Sequence, residues 1–206
     1  ELKNTQLEAK SLRGQMNPHF IFNVLNSIQK SILKEDKVAA NELLGKFSKL
    51  IRSSLKYSRL EFIQIEEEVV FLKNYISVEN QRFPNRFTFK IEIDPELKEI
   101  GVKIPPLIIQ PLCENAIKHA FTERGGELLV SIHLMDNDSL KVVVQDNGVG
   151  IDNSQKIRDD ESLGMKIVKS RLELFKDQGY EASMEVSFLD NKTKTGTVVE
   201  LTLPYK

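Results

Sequence analysis

The spacing of apolar residues changes along the chain from a helical repeat to an alternating one, near residue 86. Before that point apolar positions recur every three to four residues, which is typical of amphipathic helices. The pattern predicts a helix from residue 2 to about 34, a second from about 37 to 58, and a third that follows the acidic run 66–68 and ends near residue 83. The acidic run is interpreted as a solvated first turn that complements the helix dipole.

The first two predicted helices form a hairpin with one apolar face. On the second helix this stripe consists of Leu43, Leu44, Phe47, Leu50, Ile51 and Leu55. Pairing with a second hairpin would bury the stripe in a four-helix bundle and make the protein a homodimer. The alternative is that the stripe packs on the chain's own second domain. The domain boundary is expected between residues 58 and 66, giving a helical domain at 1–62 and a second domain at 63–206.

The remainder of the chain predicts an α+β fold. The expected elements are a strand at 87–93, a helix at 107–121, strands at 127–135 and 140–145, a helix at 164–176, and strands at 181–189 and 197–203. Two pairs of consecutive strands are joined by short turns, which indicates hairpins. The order therefore favours a mostly antiparallel sheet with helices on one face.

Composition narrows the class of protein without identifying it. The 206 residues are 40% hydrophobic, which supports a real core, and the net charge of -1 indicates no direct nucleic-acid binding by charge alone. The single cysteine, Cys113, excludes an internal disulfide framework. No apolar run has the length of a membrane span. Because the sequence starts at Glu1 in mid-helix, we expect a fragment of a longer protein whose membrane attachment, if any, lies in a preceding segment.

The first predicted helix contains a proline next to a histidine. Pro18 would remove a helical hydrogen bond and press on the carbonyl of Gly14, so a bend is expected between them. His19 follows the bend, and Asn23 and Asn26 lie on the same helical face. Asn23, one turn on, is a candidate to orient the imidazole by hydrogen bonding. The alternative is a surface histidine on an irregular helix.

Two segments carry polar groups that suit a nucleotide. On the predicted helix at 107–121, Asn115 offers an oxygen for Mg²⁺ and Lys118 a point charge for a phosphate. Asp146 ends a strand and could accept a hydrogen bond from an exocyclic amine, while the glycines at 148 and 150 would let a planar ring lie against the backbone. Each feature alone is an ordinary helix or turn signal.

A third segment opens the helix predicted at 164–176. A glycine at its start, Gly164, leaves backbone N–H groups facing outward at the positive end of the helix, where phosphates bind. Taken alone it is a glycine at a helix start. The three segments together, in this order, favour a nucleotide site.

These segments resemble the catalytic core of sensor histidine kinases of the LytS/YehU type. Residues 15–20, Gln-Met-Asn-Pro-His-Phe, are similar to the phosphoacceptor helix of that family, and 106–119 to its N box. Residues 146–150 and 163–172 resemble the two glycine boxes, and Gly196-Thr197 resembles the closing strand motif. The resemblance implies a dimeric helical hairpin followed by a Bergerat-type α/β sandwich.

On the phosphate side, the resemblance implies that His19 is phosphorylated and that Asn115 holds Mg²⁺. It implies further that Lys118 and His119 lie near the phosphates of ATP and that Gly164 contacts them. On this reading the imidazole of His19 is the nucleophile.

On the adenine side, the resemblance implies that Asp146 binds the exocyclic amine and that Gly148 and Gly150 allow the ring to approach. Thr197 would support the pocket through a water molecule. Residues 152–162 correspond to a mobile lid over ATP.

Three positions depart from related patterns. Ser162 and Ile167 replace a glycine and an asparagine usual around the second glycine box, which weakens the expected phosphate contacts. Pro111 stands where the wider ATPase superfamily has the base that activates water. Its presence disfavours ATP hydrolysis and suits a kinase.

The resemblance implies a two-component sensor kinase that uses ATP and Mg²⁺. It would phosphorylate His19 and pass the phosphoryl group to an aspartate of a response regulator, by analogy one of the LytTR type. Its expected place is the cytoplasmic portion of a bacterial sensor anchored in the inner membrane. The alternatives are a dimeric pseudokinase scaffold that binds nucleotide weakly, and an ATP-hydrolysing conformational switch.

Overall fold

The computed structural model describes residues 18–83, 86–121, 125–135, 139–150, 163–190, 192–193 and 195–206. The bend expected between Gly14 and Pro18, the lid expected at 152–162 and the departure at Ser162 fall wholly or partly outside the described residues. Among the described residues, no helix combines the length and apolar character that a membrane span needs.

Three helices make up the N-terminal part. The elements are α1 (Pro18–Leu33), α2 (Lys37–Tyr57) and α3 (Ile65–Arg82). The chain turns between α1 and α2 within three residues, and the carboxylate of Asp36 caps α2 by accepting a hydrogen bond from the Ala39 N–H at 3.0 Å. The hairpin predicted from the apolar repeat is therefore present.

Part of the apolar stripe of the hairpin is covered by the chain itself. Leu43 and Leu50 are each 3% exposed. The Phe20 ring lies 5.2 Å from that of Tyr75 on α3, and the Tyr57 ring lies 6.2 Å from that of Phe71, both measured between centroids. Leu43, Phe47 and Leu50 are therefore buried without a second copy, whereas Leu44 and Leu55 stay exposed. The predicted homodimer stays a prediction, and it now depends on apolar side chains that remain exposed on the hairpin: Phe22, Leu25, Ile32, Leu33, Val38, Leu44 and Leu55.

The C-terminal part is built on a five-stranded sheet. The elements of this part are β2 (Phe87–Ile93), α4 (Pro95–Glu99), β3 (Lys103–Ile104), α5 (Gln110–His119), β4 (Gly126–Met135), β5 (Ser139–Asp146), α6 (Leu163–Asp177), β6 (Ser183–Asp190) and β7 (Thr195–Pro204). The order of strands in the sheet is β2-β4-β5-β7-β6. β2 pairs with β4 in parallel, and the other three pairings are antiparallel. The predicted α+β class and both predicted hairpins are confirmed.

The sheet buries one face. Alternate residues of β4 and β5, such as Val130, Ile132 and Val142, are fully buried under the helices, while their neighbours in sequence are more exposed. A separate two-stranded sheet pairs β1 (Ile63–Gln64) with β3. Neither of these two short strands nor α4 was predicted from the sequence.

Candidate functional site

The start of α5 is fixed by two charged side chains from other helices. Glu68 of α3 accepts hydrogen bonds from the N–H groups of Leu107 at 2.7 Å and Ile109 at 3.3 Å. These bonds hold Leu107 in a left-handed conformation, φ 56°, that a non-glycine residue rarely adopts. From α6, the Arg171 Nη1 donates to the Pro106 carbonyl at 2.7 Å. The loop that delivers α5 is thus clamped from both sides.

The location of Glu68 corrects the interpretation of the acidic run. Glu68 is 0% exposed, so it is not a solvated residue of a helix start. Burial raises its pKa from 4.5 to about 7, although the backbone N–H groups of Leu107 and Ile109 and the nearby charge of Arg171 act in the opposite direction. Glu68 is a structural carboxyl that positions α5, and the sequence interpretation missed it.

The predicted phosphate-side residues lie along α5. Asn115 is half-buried, while Lys118 and His119 are exposed at the end of the helix. Lys118 forms an ion pair with Glu114 one turn earlier. No group of three or more His, Cys, Asp or Glu side chains able to hold a metal occurs among the described residues. A single asparagine oxygen nevertheless fits Mg²⁺ in nucleotide sites, where substrate phosphates and water supply most ligands.

The predicted adenine-side residues meet where β5 ends. Asp146, 4% exposed, is paired in register with Thr197 of β7. Its Oδ1 accepts from the Gly148 N–H at 3.0 Å and from the Thr197 N–H at 3.2 Å. Burial raises the pKa of Asp146, and these hydrogen bonds partly oppose the rise. The structure therefore brings Asp146, Gly148 and Thr197 together around one carboxylate.

The packing of the loop explains why residue 148 is a glycine. A Cβ at this position would lie 2.3 Å from the Ala120 carbonyl oxygen at the end of α5. The next residue, Val149, donates its N–H to the same oxygen at 3.2 Å. The glycine is needed for the close approach of this loop to α5, whether or not a ring lies over it. Gly150 has a positive φ of 77°.

The first turn of α6 lies beside the first turn of α5. A Cβ at Gly164 would be 3.0 Å from the Cβ of Pro111. The helix start that was predicted to face phosphates is thus adjacent to the helix that carries Asn115. The predicted nucleotide-binding residues lie on three neighbouring parts of the fold: α5, the ends of β5 and β7, and the start of α6.

His19 opens onto a cavity between α1, α3 and α5 with a volume of about 130 Å³. The polar and charged side chains that line it are His19 and Asn23 from α1, Glu79 and Arg82 from α3, Arg86 from the loop after α3, and Glu114 and Lys118 from α5. The structure therefore places the predicted phosphoacceptor in one cavity with three residues of the predicted N box, Glu114, Ile117 and Lys118.

Asn23 contacts the imidazole differently from a simple hydrogen bond. Its Nδ2 lies 3.0 Å from Nδ1 of His19 and 3.3 Å from Nε2. A donor aligned with the lone pair of one ring nitrogen would be much farther from the other. The amide therefore lies against the face of the ring, and the orienting role of Asn23 stays a prediction.

The helical hairpin and the sheet order define a class of protein: a histidine-bearing helical hairpin followed by an α/β sandwich with a mostly antiparallel sheet. The family model described as "Histidine kinase" matches residues 7–87, and the one described as "Histidine kinase-, DNA gyrase B-, and HSP90-like ATPase" matches 105–206. The two matches together cover most of the sequence, and the chain belongs to the sensor histidine kinases.

Individual relatives agree with this assignment. The sensor protein LytS of Staphylococcus saprophyticus is 35% identical over 96% of this chain and 34% of its own length. The sensor histidine kinase/phosphatase LytS of Staphylococcus aureus is 32% identical over 97% of this chain and 34% of its own length. The chain thus spans about a third of the curated relatives it matches.

Solved structures show the same fold. The histidine kinase domain of the blue-light activated kinase EL346 from Erythrobacter litoralis is 18% identical, with a TM-score of 0.54 over 97% of this chain and 95% of that one. The mycobacterial sensor histidine kinase MprB is 17% identical, with a TM-score of 0.52 over 71% and 99%. At this identity the likeness concerns the fold alone.

Proposed function

We propose that this chain is the catalytic core of a two-component sensor kinase that phosphorylates itself on His19 and passes the phosphoryl group to an aspartate of a response regulator. The observation that carries the proposal is the shared cavity: His19 of α1 faces Glu114 and Lys118 of α5. Glu114 directly precedes Asn115, the residue proposed to hold Mg²⁺. The proposed acceptor and the proposed metal-binding residue therefore lie on two helices, α1 and α5, that border one cavity.

The nucleotide is held by residues that the fold already brings together. Asp146 accepts a hydrogen bond from the adenine amine, because its carboxylate is buried and oriented by the N–H groups of Gly148 and Thr197. Gly148 and Gly150 allow the adenine ring to approach the backbone. When bound, ATP supplies the γ-phosphoryl group and Mg²⁺ neutralises charge on the phosphates.

On the phosphate side the chain supplies position and charge, which are the main contributions that proteins make to phosphoryl transfer. Asn115 offers the metal an oxygen, and Gly164 opens α6 toward the phosphates. Lys118 and His119 complete the positive end of the site. In its neutral form the His19 imidazole has a ring nitrogen with a lone pair, so it attacks without a separate base.

Partners follow from the same assignment. The exposed apolar side chains of the hairpin support a homodimer, with Phe22 66% and Leu33 77% exposed. The response regulator is proposed to be of the LytTR type. The chain is proposed to be the cytoplasmic part of a sensor whose membrane anchor precedes it, with residues 1–62 as the dimerisation and phosphotransfer unit and 63–206 as the ATP-binding unit.

Incubation with γ-labelled ATP and Mg²⁺ tests the proposal. Wild type should become labelled with acid-labile, alkali-stable phosphate, as expected of a phosphoramidate, and His19→Gln should not. His133→Gln, on β4 and outside the cavity, is the matched control and should label normally.

Two results would point to other functions. Release of free phosphate without labelled protein would indicate an ATP-hydrolysing switch. Nucleotide binding without any product would indicate a pseudokinase scaffold. Normal labelling of His19→Gln would exclude His19 as the acceptor.

A further inference from the structure

The His19 cavity carries more positive charge than its own carboxylates neutralise. Arg82, Arg86 and Lys118 line it against Glu79 and Glu114. Both carboxylates are already engaged, since Glu79 binds Arg82 at 2.6 Å and Glu114 pairs with Lys118. The Nε and Nη2 of Arg86 donate to the backbone carbonyl of Phe121. Because this acceptor is neutral, the positive charge of Arg86 stays uncompensated. An anion is the complementary ligand.

Arg82 provides the second observation. Its side chain is 9% exposed, and its Nε is buried with no hydrogen-bond partner within the described part of the chain. A buried polar group without a partner costs free energy, and native structures rarely keep one without a reason. The Nη1 of the same guanidinium is anchored by Glu79. An anion that draws the guanidinium toward the cavity would give this N–H, one of the five that an arginine carries, an acceptor.

The orientation of the two arginines is fixed by Phe83. The guanidinium carbons of Arg82 and Arg86 lie 5.0 Å and 4.7 Å from the centroid of the Phe83 ring. Planar guanidinium groups held in this way present fixed donors, which suits the oxygens of a phosphoryl group better than a flexible ammonium does. The cavity of about 130 Å³ has room for such a group.

We propose that this cavity is an oxyanion site that holds the phosphoryl group after its transfer to His19, with Arg82 donating to a phosphoryl oxygen. The inference rests on the proposed function, because it takes His19 as the acceptor. It adds a binding residue on α3, outside the nucleotide site.

The transfer step balances without a further reactant. One ring nitrogen of neutral His19 forms a bond to the γ-phosphorus of ATP, and the bond from that phosphorus to the β–γ bridging oxygen breaks. ADP leaves with the electron pair, and the other ring nitrogen keeps its proton. The product is a phosphoimidazolium whose phosphoryl oxygens are the anionic groups that Arg82 meets.

The site would protect the phosphoryl group from water until a regulator takes it. Phosphoramidate, a small phosphoryl donor that modifies histidines without ATP, isolates this property from nucleotide binding. The full chain is labelled with phosphoramidate, and the phosphohistidine signals are followed by ³¹P NMR as they decay. The signal of His19 is the one that vanishes in His19→Gln. Signals of His133 serve as an internal reference outside the cavity.

Arg82→Lys keeps the charge and removes the guanidinium N–H. We expect the His19 signal of this variant to decay about tenfold faster than in wild type, the size of one hydrogen bond to a charged group. Glu79→Gln/Arg82→Gln replaces the buried pair by a neutral one of similar shape, and should show the same loss even if the single variant folds poorly. Lys73→Gln, an exposed cation on the same helix, should decay as wild type does.

Equal decay of the His19 signal in wild type, Arg82→Lys and the double variant would overturn the inference. Failure of phosphoramidate to label His19 in wild type would overturn it as well. Failure of the proposed function is seen separately, as an absence of labelling by ATP in a protein that phosphoramidate does label.

Discussion

Replacing Glu68 by glutamine should change how the stability of the protein depends on pH. The carboxyl is fully buried and accepts the N–H groups of Leu107 and Ile109. In Glu68→Gln one of the two oxygens becomes an NH₂ group that faces a donor. A protonated Glu68 has the same defect, because one of its oxygens then carries a proton. Wild type and variant should therefore be most alike at low pH.

The sign and size of this change in stability follow from the pKa of Glu68. Burial raises the pKa of Glu68 from 4.5 to about 7, so between these values the folded state binds more protons than the unfolded state. The contribution of this group to stability is fully present below pH 4.5 and is lost as the pH rises to about 7. At ~1.4 kcal/mol per pH unit, the interval from 4.5 to about 7 corresponds to about 3 kcal/mol. The glutamine does not titrate and escapes this loss.

Urea unfolding of both proteins across that interval and up to about pH 8 measures the effect. The difference in unfolding free energy should shift by about 3 kcal/mol in favour of Glu68→Gln as the pH rises. Other buried carboxyls, such as Asp146, are present in both proteins and cancel. Glu66→Gln, on the same turn, is the matched control and should keep the pH dependence of wild type because Glu68 is intact. Parallel stability curves for wild type and Glu68→Gln would refute the reasoning.

Three further results are expected. Gly148→Ala should destabilise the fold by about 1–3 kcal/mol, because the added methyl group would be overpacked against Ala120. The control Gly45→Ala lies in α2 with open space around it and should stabilise the fold by up to about 1 kcal/mol. Thermal unfolding of both variants measures these changes, and equal effects would contradict the contact between Gly148 and Ala120. Asp146→Ala should stay folded and lose most binding of an ATP analogue in calorimetric titration, so wild-type affinity would exclude the adenine contact. Sedimentation at tens of micromolar should show a dimer for wild type and a monomer for Phe22→Glu, and a wild-type monomer would count against the hairpin interface.

The long elements could be predicted because their apolar residues repeat over many positions. α2 and the two strand hairpins agree with the pattern to within a few residues. β1 and β3 have two residues each, and α4 has five, too few for any period to show. The Asp146 motif, a carboxylate at a strand end followed by two glycines, could be recognised from the sequence. Each of these residue types is favoured there by the local backbone conformation.

The burial of Glu68 and Glu79 was not predicted, although their spacing along α3 indicates it. Both follow the stripe of buried residues on α3 that includes Ile65, Leu72 and Tyr75, at intervals of three and four. Their residue type predicts solvent-exposed side chains, whereas their position in the repeat predicts buried ones. The element that covers the hairpin could not be predicted from the sequence either. An apolar stripe indicates that a helix face is buried, but it does not identify the element that buries it. Only the tertiary structure shows that α3 packs against the hairpin.

The contact between Val149 and Ala120 has a thermodynamic consequence. The loop after Asp146 rests on the end of α5, and the same helix presents Glu114 and Lys118 to the cavity of His19. If Asp146 binds adenine and His19 accepts the phosphoryl group, as proposed, both events act on one helix. By linkage, if a phosphoryl group on His19 changes the affinity for a nucleotide by some factor, the nucleotide shifts the equilibrium of that modified state by the same factor. A kinase built this way would sense, through its nucleotide affinity, whether its phosphoryl group has already been delivered.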